Sequence, residues 1–216
     1  MKQSHHDFIV VEGPIGVGKT SLAKRLAETF GTELLLEGAD ANPFLERFYA
    51  NPRQAALPTQ LFFLFQRARQ IQELRQGDIF QKIRVADFLL EKDRLFAQLT
   101  LDDDELRLYE QVYNQMTLDA PRPDLVIYLQ APVEILMDRI MRRGVAQEQQ
   151  ITMEYLQRVV DAYARFFHFF SSSPLLIVNA SAIDPVSNDL DYNALLKRVR
   201  EINSGRHYFN PMPLTL

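Results

Sequence analysis

The chain has 216 residues, which is long enough for one α/β domain with its own hydrophobic core. Its formal net charge is -4 and it has no long basic run, so we expect it to bind neither nucleic acid nor a membrane. It contains no cysteine, which excludes disulfides and cysteine metal sites and fits a cytoplasmic protein. We expect a flexible N-terminus over residues 1–7, one domain over residues 8–203 and a C-terminal tail over residues 204–216.

The first motif is a glycine-rich segment between a short apolar run, Phe8-Ile9-Val10-Val11, and a helical pattern that starts at Ser21. Residues 13–20 match the phosphate-loop pattern G-x-x-x-x-G-K-[ST] at every fixed position. In such a loop, backbone N–H groups surround a phosphate, the lysine reaches the β- and γ-phosphates, and the hydroxyl ligates Mg2+. We therefore expect contacts with phosphate or metal from Gly13, Pro14, Ile15, Gly16, Val17, Gly18, Lys19, Thr20 and Ser21.

Two carboxylates follow short apolar strands. Residues 33–36 form an apolar run that ends at Glu37, and residues 84–88 are predicted to form a third strand with Asp87 near its end. Ligands gather at the carboxyl ends of strands in doubly wound sheets. Glu37 is therefore a candidate general base, and Asp87 is a candidate for holding Mg2+. Position alone leaves open that Glu37 is a solvated loop residue.

A long aromatic segment over residues 58–76 is predicted to form a helix, after a shorter helix that opens at Asn42-Pro43. Gln60 and Arg67 interrupt its apolar face, and their spacing places them on the same side of the helix, about two turns apart. They form either a polar edge over an aromatic pocket or simply the exposed face. The charged segment from Glu91 to Arg94 is by itself typical of a surface.

A helix that starts at Pro132 carries Arg139, Arg142 and Arg143 just before Gly144. Arginines at this end of a helix offset its negative dipole in the simplest interpretation. Beside a glycine hinge they also suit a lid that closes on phosphates and stabilises charge during phosphoryl transfer.

Alternation of strands and helices predicts the fold. Strands are expected over residues 8–11, 33–36, 84–88, 125–129 and 175–178, with a final helix over residues 193–203. Five strands that alternate with helices favour a parallel sheet with helices on both faces. The phosphate loop makes this α/β domain a P-loop NTPase fold with an arginine-bearing lid.

With these residues placed, the sequence resembles the deoxynucleoside kinase family, in particular the branch of deoxycytidine, deoxyguanosine and bacterial deoxyadenosine kinases. The resemblance extends from about Phe8 to about Asn203, and the order of the later motifs makes it specific. It implies that Glu37 takes the proton of the sugar 5′-hydroxyl. It also implies that Tyr49, which precedes the short segment Ala50-Asn51-Pro52, contacts the 3′-hydroxyl.

The resemblance further implies which residues read the nucleobase. Gln60 matches a glutamine that pairs with the base. Arg67 and Asp93, the latter in a stretch that resembles D-R-x-x-F-A, match the pair that separates this branch from the thymidine branch. We therefore expect these three side chains to meet in one pocket.

The lid and the donor site are implied in the same way. The lid resembles the pattern R-x-x-x-R-G-R-x-x-E-x-x-I, in which Arg139 and Arg143 match arginines that clamp the γ-phosphate. Glu148 falls on the glutamate of that pattern, which also binds the 3′-hydroxyl. The loop from Asn179 to Asp184 is expected to border the adenine of the phosphate donor.

Two positions depart from the family pattern. Phe88 stands where the D/E-R-S motif after the third strand has an arginine, and Val145 stands where the lid has an arginine after its glycine. Two positive charges are therefore missing from a site where an arginine is worth a factor of about 10^3 or more in rate. Lys92 and Arg142 are the nearest candidates to replace them.

The resemblance and the phosphate loop together predict ATP-dependent, Mg2+-assisted phosphorylation of a deoxynucleoside 5′-hydroxyl, giving the monophosphate for nucleotide salvage. Gln60 can both donate and accept, so it suits adenine, cytosine or guanine, and deoxyadenosine or deoxyguanosine is the first choice. The family also implies a homodimer. The alternatives are a catalytically weakened NTP-binding regulatory module and a nucleoside monophosphate kinase, which needs arginines for the phosphate of its acceptor.

Overall fold

A six-stranded parallel sheet forms the centre of the computed structural model, which describes residues 6–76, 84–116 and 121–210. Its strands are β1 (Phe8–Glu12), β2 (Glu33–Leu35), β3 (Arg84–Ala86), β4 (Leu125–Gln130), β5 (Leu175–Asn179) and β6 (Arg206–Phe209). The strand order is β2-β3-β1-β4-β5-β6, and every neighbouring pair is parallel. The chain changes direction across the sheet at β1, which has β3 on one side and β4 on the other. Ligands bind at such a switch point, outside the carboxyl ends of the strands.

The helices lie on both faces of this sheet, as predicted. The α-helices of the described residues are α1 (Lys19–Phe30), α2 (Leu45–Ala50), α3 (Pro52–Gln76), α4 (Glu91–Thr100), α5 (Asp103–Met116), α6 (Val133–Arg143), α7 (Met153–Phe169) and α8 (Asp189–Glu201). Two short 3-10 helices cover Ala39–Ala41 and Ala146–Gln150. Thr152 begins α7 by accepting a hydrogen bond from the Tyr155 backbone N–H at 3.2 Å.

Alternation along the strands divides the core in two. Ile9 and Val11 face α1, α6 and α8, where they share a buried cluster with Leu22, Leu136 and Leu195. Val10 faces the opposite side, with Leu95 of α4 and Tyr163 of α7. Because both faces of the sheet are covered, its central strands are apolar on both sides, which explains their continuous hydrophobic runs.

The expectation of five strands was wrong, because β6 adds a sixth at the edge of the sheet. It lies within residues 204–216, which were expected to form only a tail, and it pairs with β5 from Leu175↔Arg206 to Val178↔Phe209. An edge strand has one exposed side, and this one alternates between exposed and half-buried residues. It therefore lacks the apolar run that marks the other strands in the sequence.

Helix boundaries also differ from the sequence prediction. The helix α3 begins at Pro52, so Pro58 lies inside it instead of starting it. The last helix begins at Asp189, since the Asn188 side chain accepts hydrogen bonds from the backbone N–H groups of Leu190 and Asp191. Among the described residues, no helix is both long and apolar enough to cross a membrane.

Candidate active site

A cavity of about 450 Å³ opens at the carboxyl ends of β1, β2 and β3. It brings together most of the site residues that the sequence predicts, although they come from distant parts of the chain. Those that line it are Ile15, Gly16, Lys19, Thr20, Ser21, Glu37, Tyr49, Gln60, Arg67, Asp87, Asp93, Arg143 and Glu148.

The phosphate loop joins β1 to α1 in a tight turn. A Cβ on Gly13 would lie 2.5 Å from the backbone oxygen of Leu129, and one on Gly16 would lie 2.8 Å from that of Leu136. Gly16 also has φ +84°, a conformation that side chains rarely adopt. Three residues of the loop are buried and do not line the cavity, namely Gly13, Pro14 and Val17. They therefore contribute to the shape of the loop only.

Asp87 connects the phosphate loop to the end of β2. Its Oδ2 accepts a hydrogen bond from the Thr20 hydroxyl, and its Oδ1 accepts one from the Glu37 backbone N–H at 2.7 Å. A hydroxyl and a carboxylate side by side are hard oxygen ligands that suit Mg2+. The described residues contain no group of three or more His, Cys, Asp or Glu side chains that could hold a metal ion.

Glu37 is held by two cations and is no solvated loop residue, since only 14% of its side chain is exposed. The Lys92 ammonium donates to both carboxylate oxygens at 2.8 and 2.9 Å, and the Arg67 guanidinium donates to Oε1. Burial alone would raise the pKa of Glu37, but Lys92, Arg67 and Lys19 outweigh it and lower this pKa to about 2. Glu37 is therefore ionised at neutral pH and able to accept a proton.

Gln60, Arg67 and Asp93 form the buried polar wall of the cavity. Arg67 makes an ion pair with Asp93, and its guanidinium lies over the rings of Phe63 and Phe88 at 5.2 and 5.6 Å. Gln60 donates to the Thr100 hydroxyl at 3.3 Å. Gln60 and Arg67 are only 3% and 1% exposed, so they do not belong to the solvent-exposed face of α3.

Asp93 retains hydrogen-bonding capacity within that wall. Its Oδ2 is buried and has no hydrogen-bond partner among the described residues. Burial raises the pKa of Asp93 to about 7, although the Arg67 guanidinium opposes the shift. Lys92 and Asp93 are both buried, so the segment from Glu91 to Arg94 is not the surface turn that its charges indicate.

The lid arginines have different partners. Arg143 donates to Oε2 of Glu148 at the mouth of the cavity. Arg139 instead donates to the backbone oxygens of Val17 and Ala180, at 3.3 and 2.8 Å, so it bridges the phosphate loop and the loop after β5. Arg142 is exposed and does not line the cavity.

Two other predicted positions lie at the edges of the site. The Tyr49 ring on α2 lies in the cavity wall beside Tyr155, with ring centroids 6.5 Å apart. Asp184 is exposed and does not line the cavity, and its Oδ1 accepts hydrogen bonds from the backbone N–H groups of Val186 and Ser187. Its carboxylate therefore stabilises a turn in the loop expected to border the donor base.

The sequence analysis missed Glu12, the last residue of β1. This buried carboxylate accepts hydrogen bonds from the backbone N–H groups of Gly13 and Leu89 and from the Tyr163 hydroxyl, all within 2.9 Å. It also lies 3.9 Å from the Lys92 ammonium. A glutamate that ends an otherwise apolar strand directly before a phosphate loop was the available signal.

A phosphate loop at the switch point of a parallel sheet, with an ionised carboxylate and a hydroxyl–carboxylate pair beside it, is the arrangement of a nucleotide-binding phosphotransferase. The family model for deoxynucleoside kinases matches residues 9–204. The chain belongs to the deoxynucleoside kinase family, whose enzymes phosphorylate deoxynucleosides to monophosphates.

Individual relatives agree with this family. A deoxyguanosine kinase of Bacillus subtilis (strain 168) is 33% identical, over 90% of this chain and 97% of its own length. A deoxyadenosine kinase of Lactobacillus acidophilus is 30% identical, over 89% and 94% of the two chains. A solved structure of deoxyadenosine kinase from M. mycoides with bound dATP has a TM-score of 0.78 at 22% identity, over 90% of this chain and 99% of that chain. This last likeness shows that the two chains share a fold.

Proposed function

We propose that the protein transfers the γ-phosphoryl group of ATP, with Mg2+, to the 5′-hydroxyl of deoxyadenosine or deoxyguanosine. The observation that carries this proposal is the ionised Glu37 carboxylate in the cavity. The backbone N–H of the same residue donates to Asp87, which also accepts a hydrogen bond from the Thr20 hydroxyl. A base and a metal position are thus adjacent, as in-line phosphoryl transfer requires. The product would be a monophosphate for nucleotide salvage.

On the acceptor side, the polar wall formed by Gln60, Arg67 and Asp93 supports recognition of a base. Gln60 and the Asp93 Oδ2, which has no partner among the described residues, can hydrogen-bond its edge, while the Phe63 ring beside Arg67 can pack against its face. Tyr49 and Glu148 are proposed to bind the 3′-hydroxyl of the sugar. The two relatives named above support a purine, since one is a deoxyguanosine kinase and the other a deoxyadenosine kinase.

On the donor side, the phosphate loop and Lys19 are proposed to hold the β- and γ-phosphates. Thr20 and Asp87 would hold Mg2+, which neutralises charge on the transferring group when bound. Arg143 would exchange its contact with Glu148 for the γ-phosphate as the lid closes, and Arg139 would support the loop from its outer side. Asp184 would support the loop that borders the donor's adenine.

We also propose that the protein is a cytoplasmic homodimer. Phe65 of α3 is 51% exposed and Leu108 of α5 is 49% exposed, although both are large apolar residues. The helices that carry them, α3 and α5, pack against each other through Leu64 and Tyr109. Light scattering of the purified protein at several concentrations tests this assembly, and a monomeric mass throughout would reject it.

The function is tested by offering the purified protein ATP, Mg2+ and each of the four deoxynucleosides or adenosine, with mass determination of the product. We expect monophosphate from deoxyadenosine or deoxyguanosine. ATP binding without turnover on any of these acceptors would overturn the proposal and favour a regulatory module. Turnover only when a nucleoside monophosphate is offered as acceptor would instead favour a nucleoside monophosphate kinase.

The role of Glu37 is tested by Glu37→Ala. Loss of a general base lowers the rate by about 10^2 to 10^4. ATP affinity should remain, because the phosphate loop is unchanged. Phosphorylation at a near-normal rate would reject Glu37 as the base.

A further inference from the structure

Lys92 is a buried cation directed at the proposed base. It lies in the first turn of α4, and only 6% of its side chain is exposed. Its ammonium contacts both carboxylate oxygens of Glu37 and lies 3.9 Å from Oε1 of Glu12. Even a well-paired buried ion pair adds little net stability, because the cost of removing both charges from water offsets their attraction. Stability alone therefore gives little reason for a lysine at this place, which points to a use in the reaction.

Phe88 stands where the family pattern has an arginine, so a positive charge beside Glu37 has to come from another residue. Its side chain is 4% exposed and packs in the apolar cluster with Leu89 and Tyr163, so position 88 carries no charge into the site. Lys92, four residues further along the chain, lines the cavity and contacts the Glu37 carboxylate. Of the two candidate replacements, Arg142 is exposed outside the cavity wall.

We propose that Lys92 is the positioning residue that orients the Glu37 carboxylate towards the acceptor hydroxyl and supplies the positive charge that Phe88 cannot. This inference rests on the proposed function. In the reaction the 5′-hydroxyl proton passes to Glu37, the bond from the 5′-oxygen to the γ-phosphorus forms, and the bond from that phosphorus to the departing ADP oxygen breaks. Lys92 stays protonated throughout and gives up no proton.

The first test compares Lys92→Met with Lys92→Arg. Removing one preorganised charged donor costs about 10^2 to 10^3 in kcat, so we expect Lys92→Met to lose about 100-fold in kcat with little change in the KM for ATP. Lys92→Arg keeps the charge and should stay within about tenfold of the wild type. Lys197→Met, on the exposed side of α8, is the matched control and should leave kcat unchanged. A Lys92→Met variant that is folded and within about threefold of wild-type kcat would overturn the proposal.

The second test asks whether Lys92 acts through Glu37. In the Glu37→Gln background, Lys92→Met should cost no more than about threefold, because residues that act as a unit are non-additive. An equal cost in both backgrounds would show that Lys92 acts independently of Glu37, which would overturn the proposal.

Folding and the proposed function are checked separately. Thermal unfolding shows whether Lys92→Met is folded at the assay temperature. If it is not, Lys92→Gln replaces it, because its amide can still donate to Glu37 but carries no charge, and the same loss in kcat is expected. A wild-type protein that phosphorylates no deoxynucleoside would refute the proposed function, whereas an active wild type with an equally active Lys92→Gln refutes only the role of Lys92.

Discussion

The Thr20 hydroxyl in the phosphate loop donates a hydrogen bond to the carboxylate of Asp87 at the end of β3, although 67 residues separate them. The other oxygen of Asp87 accepts the Glu37 backbone N–H at 2.7 Å. One side chain thus connects the segments that follow β1, β2 and β3. A substitution of Asp87 is therefore expected to affect both the proposed metal position at Thr20 and the proposed base, Glu37.

Asp87→Asn should raise the Mg2+ concentration needed for half-maximal activity at least about tenfold, because an amide of the same size lacks the ligand's charge. A Mg2+ titration of turnover at saturating ATP measures this. Asp103→Asn, at the exposed start of α5, is the control. An unchanged Mg2+ requirement in Asp87→Asn would remove Asp87 from the metal site.

Nucleoside binding should depend on the ionisation of Asp93, whose pKa burial raises to about 7 despite the neighbouring Arg67. A base amino group donates to the carboxylate form, so below pH 7 binding must displace a proton. The Kd for deoxyadenosine should then rise by up to about tenfold per pH unit as the pH falls. Calorimetric titration without ATP, from about pH 5.5 to about 8.5, measures this profile. Asp93→Asn should make this Kd nearly independent of pH. If the pH dependence remains in that variant, it is caused by another titratable group.

Tyr49→Phe removes only a hydroxyl and tests the sugar contact. One lost hydrogen bond is worth about 1 kcal/mol, so the preference for deoxyadenosine over 2′,3′-dideoxyadenosine should fall by roughly five- to tenfold. The ratio of kcat/KM for the two nucleosides is the measurement. Tyr208→Phe, on the exposed face of β6, should leave the ratio unchanged. If Tyr49→Phe also leaves it unchanged, the 3′-hydroxyl has another partner.

Glu12→Gln should lower the free energy of unfolding by about 2 kcal/mol. Both oxygens of Glu12 accept backbone N–H groups, from Gly13 and Leu89, and glutamine has only one such oxygen. Its NH2 group would therefore face a donor within the core. Urea unfolding measures the loss, with Glu134→Gln at an exposed position in the first turn of α6 as the control. A variant as stable as the wild type would show that these hydrogen bonds contribute little.

Several parts of the site follow from local sequence. The phosphate loop needs glycines where Leu129 and Leu136 approach the backbone, and that need is visible in eight consecutive residues. Glu37 and Asp87 each follow an apolar run, so strand periodicity already places them at the carboxyl ends of their strands. Gln60 and Arg67 are seven residues apart, which predicts a shared helix face, although not its burial.

Only the tertiary structure determines which charged side chains are buried and that a sixth strand pairs at the edge of the sheet. Lys92 and Asp93 belong to a segment with the composition of a surface turn, and they are buried because Glu37 and Arg67 lie opposite them. Those partners are far away in sequence, 55 residues between Lys92 and Glu37 and 26 between Asp93 and Arg67. The edge strand β6 likewise depends on β5 as its partner. Periodicity and turn chemistry act over a few residues, so they determine strands, loops and helix faces, whereas the stability of a buried charge depends on groups that only the folded chain brings together.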